Sequence, residues 1–211
     1  MADISINASG LDTLSRALER FPDIAAKALP PAINRTLSTV NTKLQKEITT
    51  KYKIKKSDLN GGGKYKSEKS NNLIKIKKAT SHSMDGRIDV RGSTLNLSRF
   101  LMGNKSPVSH KGKTKKQILK IKFPKVQVMK GSSKIVKGAF IQNAKNATGI
   151  FNRNQNGKLR MLRTLSIAQM AGNKEILKVA EETAIETLEK RIEHEMEYRM
   201  NRMAGEVNGN S

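Results

Sequence analysis

A long segment without negative charge constrains this chain more than any other feature. From Val90 to Lys174 the sequence contains no Asp or Glu, whereas it contains nineteen Lys or Arg residues. Repulsion between these bases destabilises a compact monomer, and counterions, nucleic acid or acidic protein neighbours relieve that repulsion. The segment therefore predicts a negatively charged neighbour.

The charge divides the chain into three parts. Residues 1–42 hold four bases and four acids, residues 43–170 hold 31 bases and five acids, and residues 171–211 hold six bases and nine acids. Their net charges of 0, +26 and −3 add to the formal total of +23. This division predicts that the middle part of the chain faces a polyanion and that the two end parts have other roles. The alternative is a lysine-rich surface that is merely solvated.

The composition limits the core and the available chemistry. Hydrophobic residues make up 36% and aromatic residues 4% of the 211 residues, so we expect a thin core and some segments that order only against a partner. The absence of Cys excludes disulfides, thiolate nucleophiles and cysteine zinc sites. The opening residues do not have the pattern of a secretory signal, and no apolar run approaches the ~18 residues of a membrane span. No membrane association is expected.

The periodicity of apolar residues predicts a strand and several helices in the first fifty residues. Two consecutive prolines, Pro30 and Pro31, are expected to break or kink the helical pattern because proline lacks an N–H and clashes with the preceding turn. Apolar residues then step by three or four, as on one helix face. The predicted elements are a strand at Ile4–Ile6, a helix over 11–21, a segment capped by Asp23, and a helix from Ile33 to about Thr50.

The middle of the chain alternates between predicted strands and basic loops. Strands are predicted at 73–82, 86–92, 118–131, 135–141 and 149–151, and basic loops at about 51–72 and 103–117. The first two strands are expected to meet at a turn around Met84-Asp85-Gly86, and the segment Lys137–Arg153 is expected to form a hairpin. The GGGK run at 61–64 lacks a preceding apolar strand and a following Ser or Thr, so it is not a phosphate loop.

A long helix is predicted from Lys174 to about Met203, with Asn173 as its cap. Its apolar stripe is expected to pack on the N-terminal helix, a neighbouring subunit, or both; the stripe consists of Ile176, Val179, Ile185, Leu188, Ile192, Met196 and Met203. The predicted fold class is α+β, with an N-terminal strand and amphipathic helices, a small antiparallel sheet and a long C-terminal helix. Residues 1–203 are expected to form one domain, and residues 204–211 a flexible tail.

The sequence offers few groups for catalysis. His82, His110 and His194 have no second ligand at metal spacing, and the glutamates of the C-terminal helix are spaced like a solvated face. Apart from these glutamates, paired carboxylates are limited to Asp58, Asp85 and Asp89. We therefore expect no enzyme activity, no catalytic or metal site and no cofactor.

Known nucleic-acid-binding modules are also missing from the sequence. There is no zinc-finger spacing, no RNA-recognition aromatic motif, and only eight Phe or Tyr residues for base stacking. Lysine outnumbers arginine, which favours sequence-independent contact with phosphates over base recognition. The predicted polyanion-facing residues are Lys75, Lys77, Lys120, Lys122, Lys134, Lys137 and Arg153. The alternative for each is simple exposure to solvent.

Three segments carry a resemblance to a known family. They are INRTLSTVNTK from Ile33, the GAFI…GIFNR hairpin from Gly138 to Arg153, and KLRMLRTLSIAQM from Lys158. In this order they resemble the phage minor tail protein Z family, the tail completion proteins of long-tailed bacteriophages. The resemblance covers about Ile4 to Glu195 and leaves out the loops at 61–72 and 103–116.

The resemblance implies a structural virion protein at the head-proximal end of the tail, made in the host cytoplasm and needed for joining tail to head. It further implies a homo-oligomeric ring whose partners are the tail terminator, the tail tube and the head–tail connector. Genomic DNA, bound without sequence specificity, is a further expected partner because DNA passes through that neck. The competing hypothesis is a stand-alone, sequence-nonspecific nucleic-acid-binding protein.

Overall fold

The computed structural model describes residues 2–6, 22–59, 73–103, 123–144 and 147–208. Several predictions lie outside these residues. They are the helix over 11–21, the GGGK segment, most of the second basic loop, His110, and residues 118–122 of the third strand, which include Lys120 and Lys122.

Helix α1 runs without interruption from Pro22 to Lys51. Of the two expected effects of Pro30 and Pro31, a break in the helix is therefore wrong, and a kink stays a prediction. The prolines remove two backbone donors, but the buried face continues across them through Leu29, Ala32 and Ile33. Packing of that face holds the helix together, since helix stability in proteins comes mainly from tertiary contacts.

Helix α4 runs from Lys174 to Asn208 and packs along α1. As predicted, Asn173 caps it, because the Asn173 Oδ1 accepts a hydrogen bond from the Glu175 backbone N–H at 3.2 Å. The helix is five residues longer than predicted. Its buried residues recur every fourth position, at Ile176, Ala180, Ala184, Leu188, Ile192 and Met196. The two alanines keep the buried line narrow, which suits close packing on α1.

Two residues of the predicted stripe do not face the core. Ile185 is 55% exposed and Met203 is 54% exposed, whereas Val179 is half-buried. A helix turns about 100° per residue, so Ile185 points well away from the line through Ala184 and Leu188. The spacing of apolar residues correctly predicted a helix, but it wrongly assigned these two side chains to the buried face.

A three-stranded antiparallel sheet packs against α1 in the order β1, β3, β2. Its strands are β1 (Ala2–Ile6), β2 (Ile74–Lys77) and β3 (Gly86–Val90), which confirms all three predicted strands. The turn between β2 and β3 forms earlier than predicted: Thr80 and Ser83 exchange backbone hydrogen bonds of 2.8 and 3.2 Å. His82 lies in this turn rather than at a strand end.

Gly86 belongs to strand β3 and sets how closely the sheet approaches α1. A Cβ atom at this position would lie 2.7 Å from side-chain carbons of both Ile33 and Leu37. Since such a distance is too short for carbon atoms, a larger residue would force the sheet and the helix apart. Glycine here serves close packing rather than the predicted turn.

The remaining strands form three further small antiparallel sheets instead of joining one sheet. Their ranges are β4 (Thr94–Asn96), β5 (Lys125–Val126), β6 (Lys134–Ile135), β7 (Phe140–Ala144), β8 (Ala147–Arg153), β9 (Leu159–Met161) and β10 (Arg163–Ser166). Strand β4 pairs with β10, β5 pairs with β6, and β7, β8 and β9 form the third of these sheets. The predicted hairpin is confirmed, with Phe140 opposite Phe151 and Ile141 opposite Ile150. The short helix α3 (Ile167–Ala171) follows β10, and the Ser166 hydroxyl accepts a hydrogen bond from the Gln169 backbone N–H as its cap.

The first part of the predicted basic loop is packed structure. Tyr52, Ile54 and Leu59 are buried, and residues Lys56–Leu59 form the short helix α2. The Lys53 backbone N–H donates to the carbonyl of Val128 at 2.9 Å. The prediction of a loop from residue 51 was wrong up to residue 59, because apolar residues spaced among lysines anchor this segment.

The α+β fold class is confirmed. Buried residues of α1, α4 and the small sheets form one hydrophobic cluster, so the elements share a core. Among the described residues, no helix is long and apolar enough to cross a membrane.

Truncation of the core face of α1 should reduce stability strongly. Leu37 is fully buried, and Leu37→Ala is expected to lower the free energy of unfolding by about 2–5 kcal/mol through lost burial and a residual cavity. The matched control is Leu159→Ala, since Leu159 is 45% exposed and its truncation should cost less than about 1 kcal/mol. Urea unfolding followed by circular dichroism measures both. Equal losses of unfolding free energy in the two variants would contradict the placement of Leu37 in the core.

Candidate polyanion-facing surface

Lys75 and Lys77 lie on one face of the edge strand β2 and are exposed. Successive residues of a strand point to opposite faces. Ile74 and Ile76 therefore turn to the other face, where Ile74 is buried and Ile76 half-buried against the core. Lysines on an edge strand also discourage pairing with another chain, so part of their role is structural.

The neighbouring strand β3 adds more positive than negative charge to the same face. Lys77 is opposite Arg87 and Lys75 is opposite Asp89. An Asp89 carboxylate oxygen lies 3.2 Å from the Arg87 Nε, and the other lies 3.9 Å from an Arg91 Nη. Strand β1 adds a second acid at this level of the sheet, because Asp3 is opposite Asp89. With four bases against two acids, this face of the sheet stays cationic.

Lys134 and Lys137 lie on a second surface, beside a largely apolar groove of about 670 Å³. We call it the β5–β6 groove; its apolar lining consists of Leu97, Val126, Val128, Met129, Ile135 and Val136. Lys134 belongs to β6, Lys137 lies in the turn that follows, and both are exposed. Neither has a carboxylate partner among the described residues.

Arg153 ends strand β8 on a third surface. Its guanidinium carbon lies 5.9 Å from the centroid of the Phe140 ring, and an Arg153 Nη donates to the Gly157 carbonyl at 3.1 Å. These contacts orient the side chain by cation–π attraction and hydrogen bonding while it stays exposed.

The structure brings the predicted residues together only in part. Lys75 lies with Lys77 and Lys134 with Lys137, but these pairs and Arg153 belong to three different sheets. Lys120 and Lys122 lie outside the described residues. A single surface formed by all seven residues therefore stays a prediction.

The sequence analysis missed a second cationic groove, between α1 and α4. It has a volume of about 670 Å³ and is lined by Arg35, Lys78 and Arg191 together with Pro31, Asn34, Ser38 and Thr39. The Asn34 side-chain amide donates to the Ala79 carbonyl at 3.0 Å, and its oxygen accepts from the Ala79 N–H at 2.8 Å. This pair of bonds fixes the backbone next to Lys78. No local sequence signal links the three bases, because packing of distant segments assembles them.

A buried carboxylate also escaped the sequence analysis. The Glu195 side chain is 6% exposed, and it hydrogen-bonds to Arg35 of α1 while lying 3.6 Å from an Arg199 Nη. Burying a charge is costly without such partners. A signal existed: Glu195 follows Ile192 by three residues and thus lies on the buried side of α4.

A second polar contact between the two helices joins the C-terminus of α1 to the N-terminus of α4. The Lys51 ammonium donates to the Asn173 Oδ1 at 2.9 Å and to the Glu175 carboxylate at 2.6 Å. The hydrogen bond from Lys51, and next its charge, lower the pKa of Glu175 from the usual 4.5. The capping residue of α4 thus also receives a bond from the other helix.

The described residues contain no group of three or more His, Asp or Glu side chains that could hold a metal ion. His82 and His194 are exposed. Of the three aspartates considered above, Asp58 lies 3.8 Å from an Arg99 Nη, Asp89 faces arginines, and Asp85 is exposed.

A comparison with models of protein families shows to which family the chain belongs. The model of the prophage minor tail protein Z family matches residues 9–204. The chain belongs to this family. The resemblance noted in the sequence is thereby confirmed. Comparisons with curated proteins and with solved structures give no match.

Membership in the minor tail protein Z family gives the chain a general role. It is a structural protein of a phage tail, it is located in the virion, and it interacts with other tail proteins. The cationic surfaces described above are thus surfaces of a protein that works inside an assembly.

The contact between Arg35 and Glu195 should stabilise the packing of α1 on α4. In a double-mutant cycle of Arg35→Met and Glu195→Gln, we expect a coupling energy of about 1–3 kcal/mol, because Glu195 is buried and the hydrogen bond is charged. The control cycle is Lys43→Met with Glu47→Gln, a pair at 3.3 Å on α1 that is more exposed and should couple by less than about 0.5 kcal/mol. Urea unfolding gives all values, and similar coupling in both cycles would contradict the prediction.

The contact between Lys51 and Glu175 should make stability depend on pH in the acid range. Folding lowers the pKa of the Glu175 carboxyl, so its contact with Lys51 contributes to the free energy of unfolding. This contribution is fully present above pH 4.5, the usual pKa, and is lost as the pH falls through the lowered pKa. At pH 7 the Glu175→Gln variant should be less stable than the unmodified protein, and the difference should shrink below pH 4.5. Urea unfolding at several pH values measures this.

The control for this experiment is Glu193→Gln, which changes an exposed glutamate of the same helix without an ion-pair partner among the described residues. Its stability should follow that of the unmodified protein at every pH. A Glu175→Gln difference that persists unchanged at pH 3 would exclude the ion pair as its cause.

Proposed function

We propose that this family member completes the head-proximal end of a phage tail and is needed for joining the tail to the head. It acts there as a ring of subunits, in contact with the tail terminator, the tail tube and the head–tail connector, after assembly in the host cytoplasm. Its role is structural and needs no catalysis. The proposal is consistent with a family of structural tail proteins.

One observation supports the proposed location next to a polyanion. The bases of the acid-free segment that the structure describes are exposed except Arg99, and most have no carboxylate partner among the described residues; those without one are Lys125, Lys130, Lys134, Lys137, Arg153, Lys158, Arg160, Arg163 and Lys174. A solvated surface usually mixes both signs of charge. A segment that presents only bases fits a site next to a polyanion.

The proposed polyanion is the DNA that passes through the head–tail junction, or an acidic inner surface of the tail. Exposed lysines on β-strands and turns contact phosphates as point charges, which gives attraction without base readout. Arg153 adds a base whose orientation is held by Phe140. DNA contact of this kind is independent of sequence and sensitive to salt.

The proposed unit is one domain over residues 1–203. Helices α1 and α4 belong to opposite ends of the chain, yet they pack on each other and share one core with the small sheets. The cationic segment lies between them in sequence, so both of its ends are anchored to that core. The helices stabilise the domain, and the segment is available for contacts in the assembly.

Deletion of the gene from an otherwise intact phage tests the proposed function. We expect filled heads and separate tails that fail to join, or joined particles that lose their DNA, seen by negative-stain electron microscopy and counted by infectious titre. Supplying the unmodified protein in trans should restore infectious particles. Normal titres and intact particles without the protein would reject the proposal.

Charge-reversed variants in the same complementation assay test the polyanion contact. Lys75→Glu with Lys77→Glu should fold normally but restore at least tenfold fewer infectious particles. The matched control is Lys27→Glu, an exposed lysine of α1 outside the cationic middle, which should restore full titre. Full complementation by the double variant would place these two lysines in solvent rather than against a polyanion.

The second candidate function is a stand-alone, sequence-nonspecific nucleic-acid-binding protein, favoured by the net charge of +26 over residues 43–170. Two measurements separate the candidates. A stand-alone binder should bind DNA as a purified monomer, with an affinity that falls steeply with salt, and should be absent from purified virions. A tail protein should be found in every purified virion by mass spectrometry.

A further inference from the structure

The β5–β6 groove presents apolar side chains that the described structure leaves uncovered. Ile135 is 54% exposed and Met129 is 43% exposed, and Val128 and Val136 next to them are half-buried. Single exposed apolar residues are normal on proteins, but a lined groove with two large exposed side chains is typical of a contact site.

The charges around this groove restrict what can occupy it. Lys134 and Lys137 line it, and Lys130 lies in the turn between β5 and β6. Residues 90–174 contain no Asp or Glu, so no acid from this segment balances them. A suitable occupant has an apolar side chain flanked by carboxylates.

The outer face of α4 has this combination. Ile185 is 55% exposed, and helical spacing places Glu181, Glu182 and Glu189 around it at positions i−4, i−3 and i+4. All three glutamates are exposed. Glu182 lies 3.9 Å from the Lys178 ammonium, whereas Glu181 and Glu189 have no ion-pair partner among the described residues.

We propose that the β5–β6 groove of one copy of the chain binds the outer face of α4 of the next copy. Ile185 enters the groove beside Ile135 and Met129, while Glu181 and Glu189 pair with Lys134 and Lys137. Both surfaces are exposed in the part of the chain that the structure describes, so no described segment of the same molecule covers them. The interface rests on the proposed ring and names the surfaces that build it.

The geometry of this contact is head-to-tail. The groove of one copy meets the helix face of the next, so the first copy keeps a free helix face and the second keeps a free groove. Further copies can therefore add at both ends, and the series closes into a ring if the rotation allows. Glu181 and Glu189 are about 12 Å apart along the helix. Lys134 and Lys137 are at most ~10 Å apart along the backbone, and their side chains extend the reach, so the charges can align.

A disulfide trap tests this contact directly, because the chain contains no cysteine. The variant with Ile135→Cys and Ile185→Cys should form a ladder of covalent dimers, trimers and larger species under mild oxidation. Each single variant should give no ladder beyond dimers, since identical positions do not meet in a head-to-tail contact. The ladder is read by non-reducing gel electrophoresis, on purified protein and on phage particles complemented with the variant.

Charge exchange supplies an independent test. Glu181→Lys with Glu189→Lys, and separately Lys134→Glu with Lys137→Glu, should each weaken self-association at least tenfold in sedimentation experiments. Combining all four changes should restore it, because the charges are exchanged between the two surfaces. The matched controls, Glu197→Lys on α4 and Lys158→Glu after β8, change exposed residues outside the contact and should leave association unchanged. Circular dichroism verifies that each variant is folded.

The outcomes separate this inference from the proposed function. A ladder in either preparation, together with restored association in the fourfold variant, supports the contact. The absence of a ladder in both preparations, or a fourfold variant that stays dissociated, overturns the contact even if gene deletion blocks head–tail joining. Conversely, a clear ladder in the complemented particles, together with normal head–tail joining in the gene-deleted phage, overturns the proposed function and leaves the contact standing.

Discussion

The packing of α1 against α4 is the contact on which the other parts of this structure depend. The first helix begins near the N-terminus and the second ends near the C-terminus, so their contact closes the chain around its middle. The same two helices carry 15 of the 33 buried hydrophobic residues among those described. Their polar contacts reinforce the apolar one: Arg35 reaches Glu195, and Lys51 joins the cap of α4 at the opposite end. The β-sheets are too small to be stable alone, so each relies on this helical core.

This arrangement separates stability from charge. The helices and the inner residues of the acid-free segment share one core, and the outer residues of the small sheets in that segment are free to be basic. Mutual repulsion of those bases weakens the isolated domain, and the same positive charges attract any negatively charged neighbour. Helix α4 carries half of the 18 acids of the sequence, whereas the described strands carry eight bases and only two acids. A chain with its charges divided in this way suits contacts with polyanions and with copies of itself.

The candidate surfaces could be predicted where they depend on strand alternation, and not where they depend on packing. Alternation correctly placed Lys75 and Lys77 on the exposed face of β2, and the sequence also correctly indicated the hairpin that carries Arg153. The groove formed by Arg35, Lys78 and Arg191 was not predictable, because its three bases come from segments far apart in sequence. The β5–β6 groove escaped for a related reason: the sequence places Ile135 and Met129 in predicted strands, and only the fold shows that nothing described covers them.

By itself, the sequence determined the α+β class, the two amphipathic helices, the Asn173 cap, the hairpin at 137–153 and the distribution of charge. Those features depend on residues within a few positions of one another, so local physics decides them. Tertiary structure decided that α1 continues through Pro30 and Pro31, that Gly86 lies against α1 and that Ile185 faces outward. It also decided that Glu195 meets Arg35 and that the described strands divide into four sheets. Each of these depends on which distant surface a segment meets, and a linear pattern does not contain that information.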